Sequence, residues 1–241
     1  MYLYVAVIID EAKLHQLVVH KKNTGLDLVP RQVDVVHHTF LTMKHHVIYV
    51  PGIRDDLYKS QSFVVWWWRL LGMTGHCHEI PWAGQEDYEP KLQRLLALID
   101  YYHAKGKTVS LVGASAGASA VLDAYVERRN DIQAVILICA KINRPESVGS
   151  SVYRHNPAFR TAMQRLQAVL PTFTDDDKAK FLSLYSPADG NIPHQDTIIP
   201  SVHEQSIRPL THGYAIAYSL TFGAPLIRRF IKRLSFQTDN Q

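Results

Sequence analysis

The chain has 241 residues, 46% hydrophobic and 20% charged, enough for one large domain with a full core and without low-complexity tracts or internal repeats. Its 26 Lys and Arg against 22 Asp and Glu leave a mild formal charge of +4, and no DNA-reading or RNA-binding motif accompanies it. Cys77 and Cys139 are its 2 cysteines, expected as free buried thiols of a reducing compartment rather than as a disulfide.

The opening run MYLYVAVII meets Asp10 and Glu11 at once. It lacks a basic leader and a cleavage site and is too short to span a bilayer, so a cytoplasmic protein without a transmembrane segment is expected. A helix near 10–22 and extended runs at 26–29 and 33–36 fit the following residues, adding antiparallel edge strands. From residue 47 onward strand-like and helix-like segments alternate. The strands expected are VIYV (47–50), HCHEI (76–80), TVSLVG (108–113), AVILICA (134–140) and FLSLYS (181–186), with one more around 202–207. Such alternation predicts an α/β fold with a mostly parallel sheet.

Residues 58–71 read as a helix whose adjacent tryptophans, Trp66, Trp67 and Trp68, cannot all face the core. In EPKLQRLLALIDYYHAKG, the residues Leu92, Leu95, Leu96, Ile99 and Tyr102 form one apolar stripe, with Gly106 as the stop. Residues 141–180 break the alternation with a polar loop and two helix-like runs, a small insertion expected to roof the active site. The final segment, 213–234, is helical with a break at Gly223 and Pro225. Its cations Arg228, Arg229, Lys232 and Arg233 suit a helix C-terminus; contact with anionic lipid headgroups is the second reading.

The most informative segment is TVSLVGASAG, in which an apolar strand delivers Gly113-Ala114-Ser115-Ala116-Gly117 into a helix. G-x-S-x-G at a strand-to-helix turn is a nucleophile elbow. The reversal strains the serine backbone, and glycines two residues either side remove side chains that would collide. The turn exposes the Ser115 hydroxyl and aims the N–H of Ala116 at the same point.

A serine hydroxyl needs an imidazole to take its proton and a carboxylate to fix that imidazole. Asp189 lies just past the strand FLSLYS, at the same sheet edge as Ser115, and is preferred over Asp196 and the run Asp175, Asp176, Asp177. The chain has 13 His, so placement decides. His212 precedes the last helix and is preferred over His203, inside a strand, and His194, too close to Asp189. An oxyanion hole needs two preset N–H donors. Ala116 supplies one, and Ile53, in the Pro51-Gly52-Ile53 turn after VIYV, is the choice for the other.

The series VIYVPGIRDD, LVGASAG, LYSPADGNIP and THGYAIA resembles the α/β-hydrolase superfamily, most closely its small esterase- and lipase-type members, over residues 45 to 235. Length and pattern together lead us to expect a single domain over 1–241, with 141–180 as a small lid insertion. The resemblance implies Ser115 as nucleophile, Asp189 as acid, His212 as base, Ile53 and Ala116 as oxyanion donors, and no cofactor. The expected function is hydrolysis of a small acyl ester or thioester. The alternative is a catalytically silent binding protein on the same fold. Two departures stand out: Pro51-Gly52 occurs where many members have His-Gly, and Thr211-His212 where many have Gly-His.

Other constellations are weaker. His76-Cys77-His78 puts two imidazoles on one strand face without a third metal ligand, and His37-His38 and His45-His46 add none, so no metal site is expected. Phosphate-binding loops of the G-x-x-x-x-G-K-[ST] and G-x-G-x-x-G kinds are missing.

Overall fold

The computed structural model describes residues 45–53 and 58–238. The expected helix at 10–22 and extended runs at 26–29 and 33–36 lie outside the described residues. Contacts divide the chain into Met1–Thr42 and Met43–Gln241, and the sheet, its helices and the candidate site all belong to the second unit.

Six strands form one sheet: β1 (His45–Val50), β2 (Thr74–Cys77), β3 (Thr108–Ala114), β4 (Ile132–Ile138), β5 (Phe181–Tyr185) and β6 (His203–Ser206). The order is β2-β1-β3-β4-β5-β6, and every pairing is parallel. Alternating side chains serve two cores. In β1, Ile48 and Val50 face one core while Val47 and Tyr49 face the other; in β3, Val109 and Leu111 oppose Val112 and Ala114. The expected buried parallel sheet is therefore correct, and the described strands contain no antiparallel pair.

Helices cover both faces. On one lie α1 (Tyr58–Trp66) with the 3-10 turn Trp67–Leu71, α7 (His212–Leu220) and α8 (Ala224–Thr238). On the other lie α2 (Tyr88–Ala104), α3 (Gly117–Glu127) and α5 (Pro157–Val169). The short α4 (Ser150–His155) and α6 (Asp175–Ala179) flank α5 in the chain. The stripe on α2 is as expected, with Leu92, Leu95, Leu96 and Ile99 buried and Gly106 at φ 65 ending the segment. Of the three adjacent tryptophans, Trp68 is buried with its Nε1 donating to the Leu220 carbonyl at 2.8 Å, while Trp67 is exposed.

Three expectations need correcting. The second strand starts earlier and ends at Cys77, not Ile80, because its partner β1 stops at Val50 before Pro51. The fourth spans Ile132–Ile138, not 134–140, because Cys139 turns to φ 45 and leaves the extended region. The acidic run before β5 is not simply a solvated helix start. Thr174 and Asp177 form a capping box on α6, and the buried Asp177 carboxylate takes hydrogen bonds from Tyr125 Oη (2.7 Å) and Arg129 Nη1 (2.6 Å). Within the insertion, α5 packs on α2 and α3 and buries Ala158, Phe159, Ala162, Met163 and Leu166, so this helix belongs to the flank layer.

One buried carboxyl makes stability depend on pH. Asp123 on α3 is fully buried, its Oδ2 accepts from Tyr88 Oη at 2.8 Å, and its Oδ1 has no partner. Burial pushes its pKa up to about 7, with Glu127 and Glu89 adding to the rise and Tyr88 and Arg165 opposing it. A raised folded-state pKa means that stability is greatest below the unfolded value, falls as pH rises through the interval to about 7, and then levels off. The loss is at most on the order of 4 kcal/mol. Asp123→Asn removes the charge and keeps an acceptor for Tyr88. Urea denaturation of the variant across pH 4 to 8 is expected to show a flatter profile and higher stability at the alkaline end; an unchanged slope would assign the dependence elsewhere.

Candidate active site

The strand order reverses direction around β1: β2 lies on one side of it and β3 to β6 on the other. The crevice outside the carboxyl ends of β1 and β3 is thus the switch point of the sheet, where an open α/β sheet receives its ligand. Ser115 sits there, between β3 and α3, at φ 52. That is left-handed backbone for a non-glycine residue, held by an N–H bond to the Ile138 carbonyl (3.0 Å) and by the Ser115 carbonyl accepting from Ala118 N–H (3.3 Å). The elbow glycines are there for close approach. A Cβ on Gly113 would lie 2.7 Å from Ala118 Cα, and one on Gly117 only 2.2 Å from the Val50 carbonyl oxygen.

His212 is the first residue of α7. Its Nε2 lies 3.0 Å from Ser115 Oγ and its Nδ1 2.7 Å from Asp189 Oδ2. Asp189 follows β5, and its other oxygen, Oδ1, accepts the N–H groups of Asn191 (3.0 Å) and Ile192 (2.9 Å). The carboxylate is therefore clamped before it meets the imidazole. Burial opposes its ionisation, but the hydrogen bonds from His212, Ile192 and Asn191 outweigh burial and hold the Asp189 carboxyl below the usual value. Its side chain is 1% exposed and that of His212 15%, so the histidine is the partner open to the crevice.

The rival candidates are elsewhere. Asp196 is buried in a separate ion-paired cluster with Lys141 Nζ (2.5 Å) and Arg144. His194 stacks on Tyr185 and faces Glu204, and His203 lies in the exposed strand β6. His45 pairs with Ser110 Oγ at 2.9 Å, and the ring of His46 lies against Tyr102.

Ile53 and Ala116 flank the serine. A Cβ on Gly52 would come 2.9 Å from Ser115 Cβ, which brings the Pro51-Gly52-Ile53 turn directly against Ser115. Neither the Ile53 N–H nor the Ala116 N–H has a hydrogen-bond partner among the described residues.

Two side chains at the site escaped sequence reasoning. Ser186, buried at the end of β5, donates through Oγ to the Leu210 carbonyl (2.6 Å) and accepts Leu210 N–H (2.9 Å) and Ala188 N–H (3.3 Å). One hydroxyl thus pins the Asp189 loop to the His212 loop. Ser186→Ala is expected to lower kcat by about tenfold with KM nearly unchanged, because a small misplacement of the imidazole costs rate rather than binding. A change confined to KM would remove the positioning role. The second is Cys139, buried beside Asp189, where burial and then the aspartate charge push its thiol up to about 12. Its Sγ, an Asp189 oxygen and a His212 nitrogen lie within 4.8 Å of one another, the one such set of metal-ligand types among the described residues. Its aspartate and imidazole atoms are the ones engaged in the Asp189–His212 pairing or next to it. A residue just past a strand carries no sequence signal for either role.

No family model matches the sequence, and no curated protein matches it. Solved structures do. A metagenome-derived lipolytic enzyme of the LipS and LipT pair superposes with a TM-score of 0.58 at 13% identity, covering 79% of this chain and 94% of the other. The chain has the α/β-hydrolase fold. Est1E of Butyrivibrio proteoclasticus gives 0.53 at 15% identity over 82% of this chain and 89% of Est1E. A monoacylglycerol lipase of Paleococcus ferrophilus gives 0.53 at 11% identity over 78% and 94%. At such identities the likeness is one of fold, and the α/β-hydrolase fold accounts for the position of Ser115 at the switch point.

Proposed function

We propose that the protein is a serine hydrolase that cleaves a carboxylic ester or thioester through an acyl-enzyme on Ser115. The observation that carries this reading is the unbroken hydrogen-bond chain Asp189–His212–Ser115 ending on a serine at φ 52. In the proposed cycle Ser115 Oγ bonds to the acyl carbon as His212 Nε2 takes its proton. Asp189 keeps the remaining proton on Nδ1 and stabilises the imidazolium. The N–H groups of Ile53 and Ala116 receive the oxyanion. Collapse breaks the bond to the leaving alcohol or thiol, which takes the proton from His212. Water then attacks the acyl carbon by the same proton route, releasing the acid and restoring Ser115.

A lipolytic enzyme and a monoacylglycerol lipase among the similar folds support an ester substrate. The whole chain, with residues 141–180 as its insertion, is read as one hydrolase domain. The lid role belongs to the part before α5, which leaves β4 with Lys141 N–H donating to the Ser115 carbonyl at 3.3 Å. The scheme calls for no cofactor, metal or nucleic acid.

A fluorophosphonate tests the reading. The unaltered protein is expected to gain one covalent adduct by intact mass, and Ser115→Ala none. A folded parent that stays unlabelled would favour the binding-protein alternative.

A further inference from the structure

The described residues leave few large apolar side chains in water, and most of them lie on two neighbouring elements, α1 with its turn and α7. In α1 and the turn after it, Phe63 (62% exposed), Trp67 and Leu70 recur at helical spacing and point outward. In α7 the spacing repeats with Tyr214, Tyr218 and, just past its end, Phe222 at 79% exposure. The elements that carry the two stripes are neighbours, since on their buried sides Trp68 Nε1 donates to the Leu220 carbonyl and α1 packs on α7. Phe63, Trp66 and Trp67 contact one another edge-on or stacked, and Tyr218 lies on Phe222. Scattered exposed leucines need no explanation, but exposed tryptophan, tyrosine and phenylalanine repeated on two neighbouring elements do.

Its charge says what it meets. From Tyr58 to Met73 the chain carries Lys59 and Arg69 and no acidic residue. From Ser206 to Thr238 it carries Arg208, Arg228, Arg229, Lys232 and Arg233, again without an Asp or Glu. The Arg69 guanidinium lies over Trp66 at 4.0 Å, and Arg228 Nε donates to the Leu71 carbonyl at 2.5 Å, so cations border the aromatic face at two points. Aromatic rings rimmed by cations, with no acid in the same segments, suit the headgroup level of an anionic bilayer. No helix among the described residues is long and apolar enough to cross a membrane.

We propose that the face formed by α1, its following turn and α7 docks the protein on an anionic phospholipid surface. Rings enter the interface while the neighbouring arginines meet lipid phosphates. Docking does not depend on hydrolysis and is expected equally of Ser115→Ala, so its failure would leave the proposed chemistry standing.

The protein carries 4 Trp, of which Trp68 and Trp82 are buried, so Trp66 and Trp67 report on this face. The full chain is mixed with phosphatidylcholine vesicles containing about a third phosphatidylglycerol, some carrying brominated acyl chains. Co-sedimentation that falls with added salt, together with quenching of tryptophan emission by the brominated lipid, is the expected result. The double variant Phe63→Glu, Phe222→Glu is expected to lower partitioning by about tenfold or more while keeping its circular dichroism. Absence of binding by the unaltered chain at low salt, equal binding to pure phosphatidylcholine, or undiminished binding by the variant would overturn the proposal. So would sedimentation showing a dimer that the variant dissolves, since a second copy would then cover the face.

Discussion

Ser115→Ala and His212→Ala are each expected to lower kcat/KM for an activated ester on the order of 10⁵-fold, and the double variant hardly further. The reason is in the distances. Oγ, Nε2, Nδ1 and Oδ2 form one chain with links of 3.0 and 2.7 Å, so removing any member disables the rest. Asp189→Asn is expected to cost less, because its backbone clamp through Asn191 and Ile192 survives in part while the imidazole loses its ionised partner. Steady-state kinetics on the three single variants and the double variant decide the matter. Additive losses would mean that Ser115 and His212 act separately, and an unaffected Ser115→Ala would end the acyl-enzyme scheme.

Gly117→Ala is expected to have the largest effect on folding. Its new Cβ would lie 2.2 Å from the Val50 carbonyl oxygen and 2.5 Å from that of Pro51, both backbone at the end of β1. Neither can move aside without opening the pairing of Val50 with Gly113. Overpacking of flexible side chains costs ~1–3 kcal/mol, and a clash with fixed backbone exceeds that, so a loss on the order of 4 kcal/mol or more is expected. Gly52→Ala is the informative contrast. The atom it meets is Ser115 Cβ, at 2.9 Å, so the collision falls on the proposed nucleophile and not on the sheet. Thermal denaturation should separate them: Gly117→Ala destabilised or unfolded, Gly52→Ala folded but slow. Similar melting temperatures would mean that α3 can retreat from β1.

How much of the molecule is legible in its sequence depends on whether a feature is local. The elbow is written in adjacent residues, because the sharp turn at Ser115 dictates Gly113 and Gly117 within the same few positions. Asp189 and His212 emerge from the order of elements, since each follows a strand and the carboxyl ends of a parallel sheet share one edge. Strand limits are less legible: β2 ends where β1 runs out, and that depends on a partner distant in the sequence. Asp177 reads as one of three equivalent solvated carboxylates, and only tertiary packing brings Tyr125 and Arg129 to it. Ser186 is invisible for a similar reason, as its hydroxyl joins two loops through main-chain atoms that carry no residue identity.

β6 has four residues, all of them exposed, and it is the last strand on its side of the sheet. It holds to β5 through backbone hydrogen bonds, without a buried side chain of its own, and the chain then runs through Leu210 into His212. The imidazole of the proposed triad thus follows the least buried strand, and Ser115 follows one of the most deeply buried. Such an arrangement has two thresholds of failure. Fraying of β6 would leave the His212 loop held only by the Ser186–Leu210 bonds and the buried side of α7, so activity is expected to fall on warming before the domain melts and to return on cooling.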